Sequence, residues 1–427
     1  SLVGSEMCIR DSYMRVLWFS CTPSCYDIIS KGGWIESLER IVKLYLPEVQ
    51  LGIAFEHVDR KFKVEHSGVT YYPINCEYGM VKKIRNKIFS SSRLKYEKLK
   101  PAYLKVIQDF KPDIIQCFGS ELWHYSLLQK DVDIPFVVHI MGFWNIYNMM
   151  SDVLLCKNVS IFHWNLVKMI SERKRKIDAS EHEEMERETM QCIKYFMGRT
   201  EWDKAIVRNF SPNAIYFHCP EAIRPDIYNS DLKWKFKKES KIRLITVSNA
   251  GNLKGNEIML RTAWILKYRF NQSIEWLLTA TSEAIKPFEK QTGIKCSDVN
   301  IKLLGRLRAS DIPKVICQSE LFIHCAIIDN SPNALCEAQL LGIPIIATNA
   351  GGIPQIVTDN EDGFLYPYAE PYALAFKIME LHNNEDELLR ISQNAYQTSH
   401  CRHNPVMIAQ TLRKIYNQII AYSHQEE

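Results

Sequence analysis

The feature that most constrains the fold is an alternation. From Met14 onward, short apolar runs rich in β-branched and aromatic residues are separated by segments long enough for a helix. MRVLWFS (14–20), GIAFE (52–56), DIIQCF (113–118), PFVVHI (135–140) and AIYFH (214–218) are such runs in the first half. IRLITVS (242–248), IEWLLTA (274–280), NIKLLG (300–305), LFIHCA (321–326) and IPIIAT (343–348) repeat the pattern in the second. Strands alternating with helical segments predict a parallel sheet covered by helices, because only buried strands can be apolar throughout. Two such stretches predict two Rossmann-like α/β domains facing a cleft. A chain of 427 residues is long enough for a separate core in each.

The boundaries follow from composition. SLVGSEMCIRDS precedes Met14 and lacks the basic and long apolar regions of a secretory signal, so residues 1–13 are expected to be a non-native leader. Residues 14–219 form the first predicted domain. The polar, Lys-rich stretch 220–239 reads as a linker, and 240–400 as the second domain. Residues 401–427 are expected to carry a last helix, about 404–421. The charged stretch 168–194 predicts a solvated surface helix with i,i+4 ion pairs.

Net charge is only +4, and no recognition motif accompanies it, so nucleic acid is not expected as a partner. No apolar run reaches the 18 residues of a membrane span. Thirteen cysteines without a CxxC pair predict reduced thiols in a cytoplasmic protein. The stretch 81–100 holds eight Lys/Arg against one Glu, with Ile84, Ile88 and Phe89 at helical spacing. That pattern predicts an amphipathic helix making peripheral contact with anionic lipid.

The most informative stretch is DNSPNALCEAQLLGIPIIATNAGGIP, residues 329–354. Ser331 reads as an N-cap and Pro332 as the first helical residue, with Gly342 ending the helix and Pro344 unable to continue it. The strand before it thus leads into a helix N-terminus, which attracts anions, and in open α/β sheets ligands bind at the carboxyl ends of strands. Asn333 and Glu337 share one face of that helix, and Asp329 precedes it. Carboxylates repel phosphate, so these two fit hydroxyl-rich groups on either side of a bound diphosphate: a nucleotide sugar.

This stretch resembles the signature of retaining glycosyltransferases of family 4, which have the GT-B fold. In that signature two Glu are separated by seven residues and followed by G-x-P, a strand and GG-I/V-P. Glu337 matches the second Glu, Gly342 and Pro344 the G-x-P, and Gly351–Pro354 the GGIP. Asp329 stands at the first Glu, one methylene shorter. SNAGNLKGNEIML (248–260) resembles the family loop that grips the donor diphosphate, which implies that role for Lys254 beside Asn252. LLGRL (303–307) resembles the segment that brackets the base, which points to Arg306 and Leu307.

The resemblance implies transfer of a sugar from a nucleotide-diphosphate sugar to an acceptor hydroxyl, with retention, in polysaccharide or glycolipid biosynthesis. Glu337 would bind the ribose. Asp329 would hold the donor sugar, helped by the backbone around Ser331, Pro332, Asn333, Ala334 and Leu335. Lys254 would stabilise the departing diphosphate. No cofactor and no metal are implied; a saccharide or lipid-linked molecule is the expected acceptor.

On the acceptor side, Gly32 and Gly33 allow close approach of a ligand to a helix N-terminus. His139 is a candidate catalytic residue. GSELWH (119–124) and HIMGFWN (139–145) are expected to line the same cleft. The rival readings are a nucleotide-sugar epimerase of the same fold and a catalytically inactive nucleotide-sugar-binding subunit.

Overall fold

The computed structural model describes residues 13–26, 33–75, 91–121, 124–154, 166–382 and 384–425. Two sheets organise it. The first has eight strands: β1 (Met14–Ser20), β2 (Val49–His57), β3 (Val64–His66), β4 (Val69–Asn75), β5 (Ile114–Phe118), β6 (Phe136–His139), β7 (Tyr195–Gly198) and β8 (Ile215–His218). Their order is β3-β4-β2-β1-β5-β6-β7-β8, and every pairing except β3–β4 is parallel. The second has six parallel strands in the order β11-β10-β9-β12-β13-β14. These are β9 (Ile242–Thr246), β10 (Ile274–Leu278), β11 (Ile301–Leu303), β12 (Leu321–His324), β13 (Ile345–Thr348) and β14 (Phe364–Tyr366). The α/β architecture expected from the alternation is therefore present.

Strand β1 shows why its sequence is apolar throughout. Val16 and Trp18 enter a core shared with the helices Trp34–Tyr45 and Pro405–Ser423, while Leu17 and Phe19 enter one shared with the helix Ser92–Phe110. Period-two alternation thus serves two buried faces, not one. The helix Pro405–Ser423 comes from the far end of the chain and packs on the first sheet. Its Tyr416 accepts from Trp18 Nε1 at 3.1 Å and donates to Gln116 at 2.5 Å.

The structure differs from several expectations. The linker is not free of the domains: Ile223, Ile227 and Trp234 lie in the core of the second, and Trp234 Nε1 donates to Ser319 O at 2.9 Å. The helix Leu166–Cys192 is not a purely solvated helix, because Met185, Glu186, Thr189 and Met190 are fully buried. Glu186 accepts from the backbone N–H groups of Trp144 and Asn145, both at 2.8 Å. Polar composition concealed this, since a charged side chain is buried when enough donors surround it.

Of the basic stretch 81–100, residues 81–90 lie outside the described residues, as do residues 1–12 of the expected leader. The remainder opens the helix Ser92–Phe110, capped by Ser91, and its charges are engaged within the fold. Arg93 pairs with Glu188, Lys95 with Glu56 at 2.8 Å, and Lys100 with Asp131 at 2.7 Å. Four short strands went unpredicted: β3, β4, β7 and β14. The first two form a hairpin whose turn, Ser67–Gly68, has positive φ at both residues, the geometry that favours glycine there.

Candidate active site

The second domain builds one half of the site from three loops at the carboxyl ends of its strands. The loop after β9 carries Lys254 into the helix Asn256–Tyr268. It turns at Gly255, whose φ is +64° and where an added Cβ would lie 1.8 Å from Cys325 O. Only glycine fits, and that contact locks the Lys254 loop against the end of β12. The loop after β12 carries Asp329. Its carbonyl is pressed by Gly351, where a Cβ would lie 2.2 Å from it, and Gly352 N donates to it at 2.9 Å. The GGIP turn thus holds the Asp329 loop in place.

These loops bring Lys254 Nζ to 2.5 Å from Asp329 Oδ2. His324 stands 3.6 Å from the same oxygen, too far for a hydrogen bond, and its Nε2 has no partner. Burial by itself would raise the Asp329 carboxyl. The Lys254 ammonium, and then His324, outweigh it and hold Asp329 well below the usual carboxylate range. Burial lowers the His324 imidazole, while the Asp329 carboxylate pulls it the other way.

The helix after this loop runs Asn333–Leu340, one residue later than expected. Pro332 is its N-cap and makes no side-chain cap. The Ser331 hydroxyl is taken by the buried Glu221, to which it donates, so it cannot cap the helix. Leu335 N already donates to Pro332 O at 2.9 Å, while Asn333 Oδ1 is buried without a partner. Glu337 is nearly enclosed, its side chain 3% exposed, and its Oε1 meets Arg224 Nε at 2.6 Å. Burial raises Glu337 above its ordinary value although Arg224 pulls the other way.

In LLGRL, the Leu304 and Gly305 N–H groups are engaged by Leu278 O at 2.8 Å and Ala280 O at 3.2 Å. Arg306 is exposed and Leu307 half-buried at the end of this segment. Asn252 is exposed at the tip of the Lys254 loop.

The first domain faces this half. Thr200 Oγ1 donates to Asn330 at 2.7 Å, and Asn330 Nδ2 donates to Asp203 at 3.0 Å. Trp202 N donates to Gln355 at 3.3 Å. Tyr147 lies within electrostatic reach of Asp329 from the second domain and of Glu121, Arg199 and Asp203 from the first; burial raises its hydroxyl. Arg199 is fixed by the Ile140 and Met141 carbonyls at 3.2 and 3.3 Å, with its guanidinium 5.0 Å from the Trp34 ring centre.

His139 is fully buried in the first sheet, between Trp34 at 4.8 Å and Phe118 at 5.8 Å, with Nδ1 3.3 Å from Gln116 Nε2 and Nε2 without a partner. Burial, with Arg199 adding to it, drops it well below the usual histidine range. Gly33 is the N-cap of the helix Trp34–Tyr45 and has no side-chain capping bond; Gly32 lies outside the described residues.

Residues 230–398 match the family described as glycosyl transferases group 1. The matched segment takes in all six strands of the second sheet. Similar proteins include the amylovoran biosynthesis glycosyltransferase AmsK of Erwinia amylovora, 23% identical over 177 residues, 40% of this chain and 42% of that one. The aligned stretch therefore spans less than half the length of that relative.

Among solved structures, sucrose-phosphate synthase from Thermosynechococcus elongatus superposes with a TM-score of 0.70 at 13% identity, covering 96% of this chain and 100% of that one. Anabaena HepE in complex with UDP and glucose superposes at 0.61 with 15% identity, covering 95% and 100%. The fold is GT-B. The matched segment contains Lys254, Asp329 and Glu337.

Sequence reasoning missed Arg224 and Asn330. Asn330 was hidden beside Asp329, and Arg224 lay in a stretch read as linker. Among the described residues no group of three or more His, Cys, Asp or Glu is placed to hold a metal ion, and no helix is long and apolar enough to cross a membrane.

Proposed function

We propose that the protein is a retaining glycosyltransferase that moves a sugar from a nucleotide-diphosphate sugar to an acceptor hydroxyl, in polysaccharide or glycolipid biosynthesis. The observation that carries this reading is the Lys254–Asp329 pair at 2.5 Å, set in loops that glycines lock against one another. A cation fixed at the carboxyl ends of the strands is placed to meet a leaving diphosphate, and such preorganised charge acts on charge that grows as the bond breaks. Asp329 would turn to the donor sugar hydroxyls and Glu337 to the ribose, sharing its carboxylate with Arg224. A solved relative of the same fold holds UDP and glucose, and another relative is named for polysaccharide biosynthesis, which supports this choice of substrates.

The chemistry needs no cofactor or metal ion, since Lys254 and the helix end supply the positive charge. Activity is expected to survive chelation. The direct test is to incubate the protein with nucleotide sugars, with and without acceptors, and follow nucleoside diphosphate release. Acceptor-dependent release supports the reading. Binding without release indicates an inactive subunit, and a new sugar epimer indicates an epimerase.

A cytoplasmic location with peripheral membrane contact through 81–100 belongs to the same reading, although Arg93, Lys95 and Lys100 are engaged in the fold. Lys82, Lys83, Arg85 and Lys87 lie outside the described residues. Binding to anionic vesicles is expected at low salt and lost at high salt, because screening weakens surface charge. Absence of co-sedimentation at low salt would remove the membrane from the account.

A further inference from the structure

The transfer just proposed requires the donor sugar and the incoming hydroxyl to be held in one frame. A misplacement of about 1 Å between reacting groups costs about 10² in rate. A residue that fixes the Asp329 loop to the first domain therefore acts on the reaction without touching either substrate.

Resting on that reading of function, the geometry points to Asn330 as a positioning residue that registers Asp329 on the first domain. Asn330 is fully buried, and its side chain reaches across to the first turn of the helix Glu201–Phe210. Its Oδ1 accepts from Thr200 Oγ1 at 2.7 Å, and its Nδ2 donates to Asp203 Oδ2 at 3.0 Å. Both partners belong to one capping box. Thr200 is the N-cap, and its hydroxyl oxygen accepts from Asp203 N at 3.1 Å, which leaves the hydroxyl proton for Asn330. Asp203 Oδ2 also accepts from Arg199 N at 2.9 Å and Thr200 N at 3.3 Å, and Oδ1 accepts from the Tyr216 hydroxyl. Of the three side chains with this shape, only asparagine fits. The hydroxyl on one side demands an acceptor, and the carboxylate on the other demands a donor. Leucine would satisfy neither, and aspartate only the first.

The backbone of the same residue meets the Asp329 side chain. Asn330 N donates to Asp329 Oδ1 at 3.1 Å, while Lys254 holds Oδ2 at 2.5 Å. One oxygen of the carboxylate is thus held by the loop after β9, and the other by a residue anchored on the first domain. The junction is also closely packed. A Cβ on Gly352 would lie 2.1 Å from Asn330 O and 2.7 Å from Thr200 Cγ2, so the GGIP turn closes over both residues. The contacts are contiguous from the cap of the helix Glu201–Phe210 to the carboxylate placed at the donor sugar.

The test uses the purified full chain with UDP-, GDP- and ADP-glucose and UDP-N-acetylglucosamine, water serving as acceptor. It follows nucleoside diphosphate release, calorimetric binding of nucleoside diphosphate, and melting temperature. Asn330→Ala is expected to lower kcat by about 10–10², with nucleoside diphosphate binding within about twofold of wild type, because Lys254 and Glu337 stay in place. Asn330→Asp keeps the shape but sets a carboxylate against Asp203, and is expected to be no more active than Asn330→Ala. Thr200→Ser keeps the hydroxyl and should keep most of kcat, whereas Thr200→Val should fall as far as Asn330→Ala. Thr200→Val also loses the helix cap, so it should lower the melting temperature with or without Asn330→Ala. Its effect on kcat should vanish once Asn330 is alanine, since the two residues act through one contact. A merely structural contact would move melting and rate together. An Asn330→Ala rate within about threefold of wild type, or a Thr200→Val effect on kcat that persists in the Asn330→Ala background, would overturn the role of Asn330 alone. A wild type that releases diphosphate from none of the four donors would overturn the transferase reading and this inference with it.

Discussion

Lys254→Ala is expected to cut turnover by about 10²–10³, the scale for losing one preorganised partner of a developing charge. The structure adds a second consequence. Lys254 Nζ is 2.5 Å from Asp329 Oδ2, and Asp329 is 14% exposed, so the mutant leaves a largely buried carboxylate whose nearest charge partner is gone. Removing one member of a buried pair costs about 3–5 kcal/mol in fully enclosed cases. Lys254 is 33% exposed, and water entering its place reduces that cost. The fold is expected to survive with a lowered melting temperature. The double mutant Lys254→Ala/Asp329→Asn should melt above Lys254→Ala, because it removes the orphaned charge, while its turnover remains low. Stability and activity would then separate, as non-additivity between contacting residues predicts. Turnover of pure Lys254→Ala equal to wild type would exclude Lys254 from the diphosphate grip.

Much of this was legible in the sequence, for identifiable reasons. The parallel sheets were, because strands buried on both faces leave uninterrupted apolar runs such as MRVLWFS and IRLITVS. The end of the helix Asn333–Leu340 and the turn beyond it were, because Gly342, Pro344 and GGIP lie in one continuous stretch that encodes its local structure. What was not legible depends on tertiary proximity. Thr200 meets Asn330 across 130 residues of chain, and Ser331 meets Glu221 across 110. Neither polar pair has a periodicity to announce it. Ser331 looked like a cap because Ser is a good one; Glu221 claims its hydroxyl instead. His139 was singled out by its likeness to a family His-Gly pair, and a packed ring was the equal alternative; Trp34 and Phe118 close over it. The strands β7 and β14, four and three residues long, owe their existence to the neighbours that pair with them.

Asp329 and Glu337 are expected to respond differently to loss of charge. Glu337→Gln keeps size and one acceptor but removes the charge offered to ribose hydroxyls. Hydrogen bonds to charged groups contribute about 1.5–3 kcal/mol, so nucleoside diphosphate binding should weaken about tenfold or more. That mutation also deprives Arg224 of its partner at 2.6 Å, so Arg224→Gln is the control. It breaks the same pair while leaving the Glu337 charge, and should weaken binding less. Asp329→Asn should leave diphosphate binding nearly intact and abolish most transfer, because that residue is placed at the sugar. Asp329→Glu restores the longer reach of the family pattern and should retain activity only if the Gly351 contact, which sets the loop carbonyl, lets the side chain extend. The pH dependence supplies an independent check on the pair. Asp329 has a folded pKa below its unfolded value, so its contribution to stability is present above about pH 4 and is lost as pH falls through the lower folded value. Wild type should therefore lose more stability than Asp329→Asn on going from pH 5 to pH 2. Calorimetric titration of nucleoside diphosphate into each mutant, beside a transfer assay, decides the placement. Loss of diphosphate binding in Asp329→Asn with retention in Glu337→Gln would reverse the orientation of the donor in the cleft.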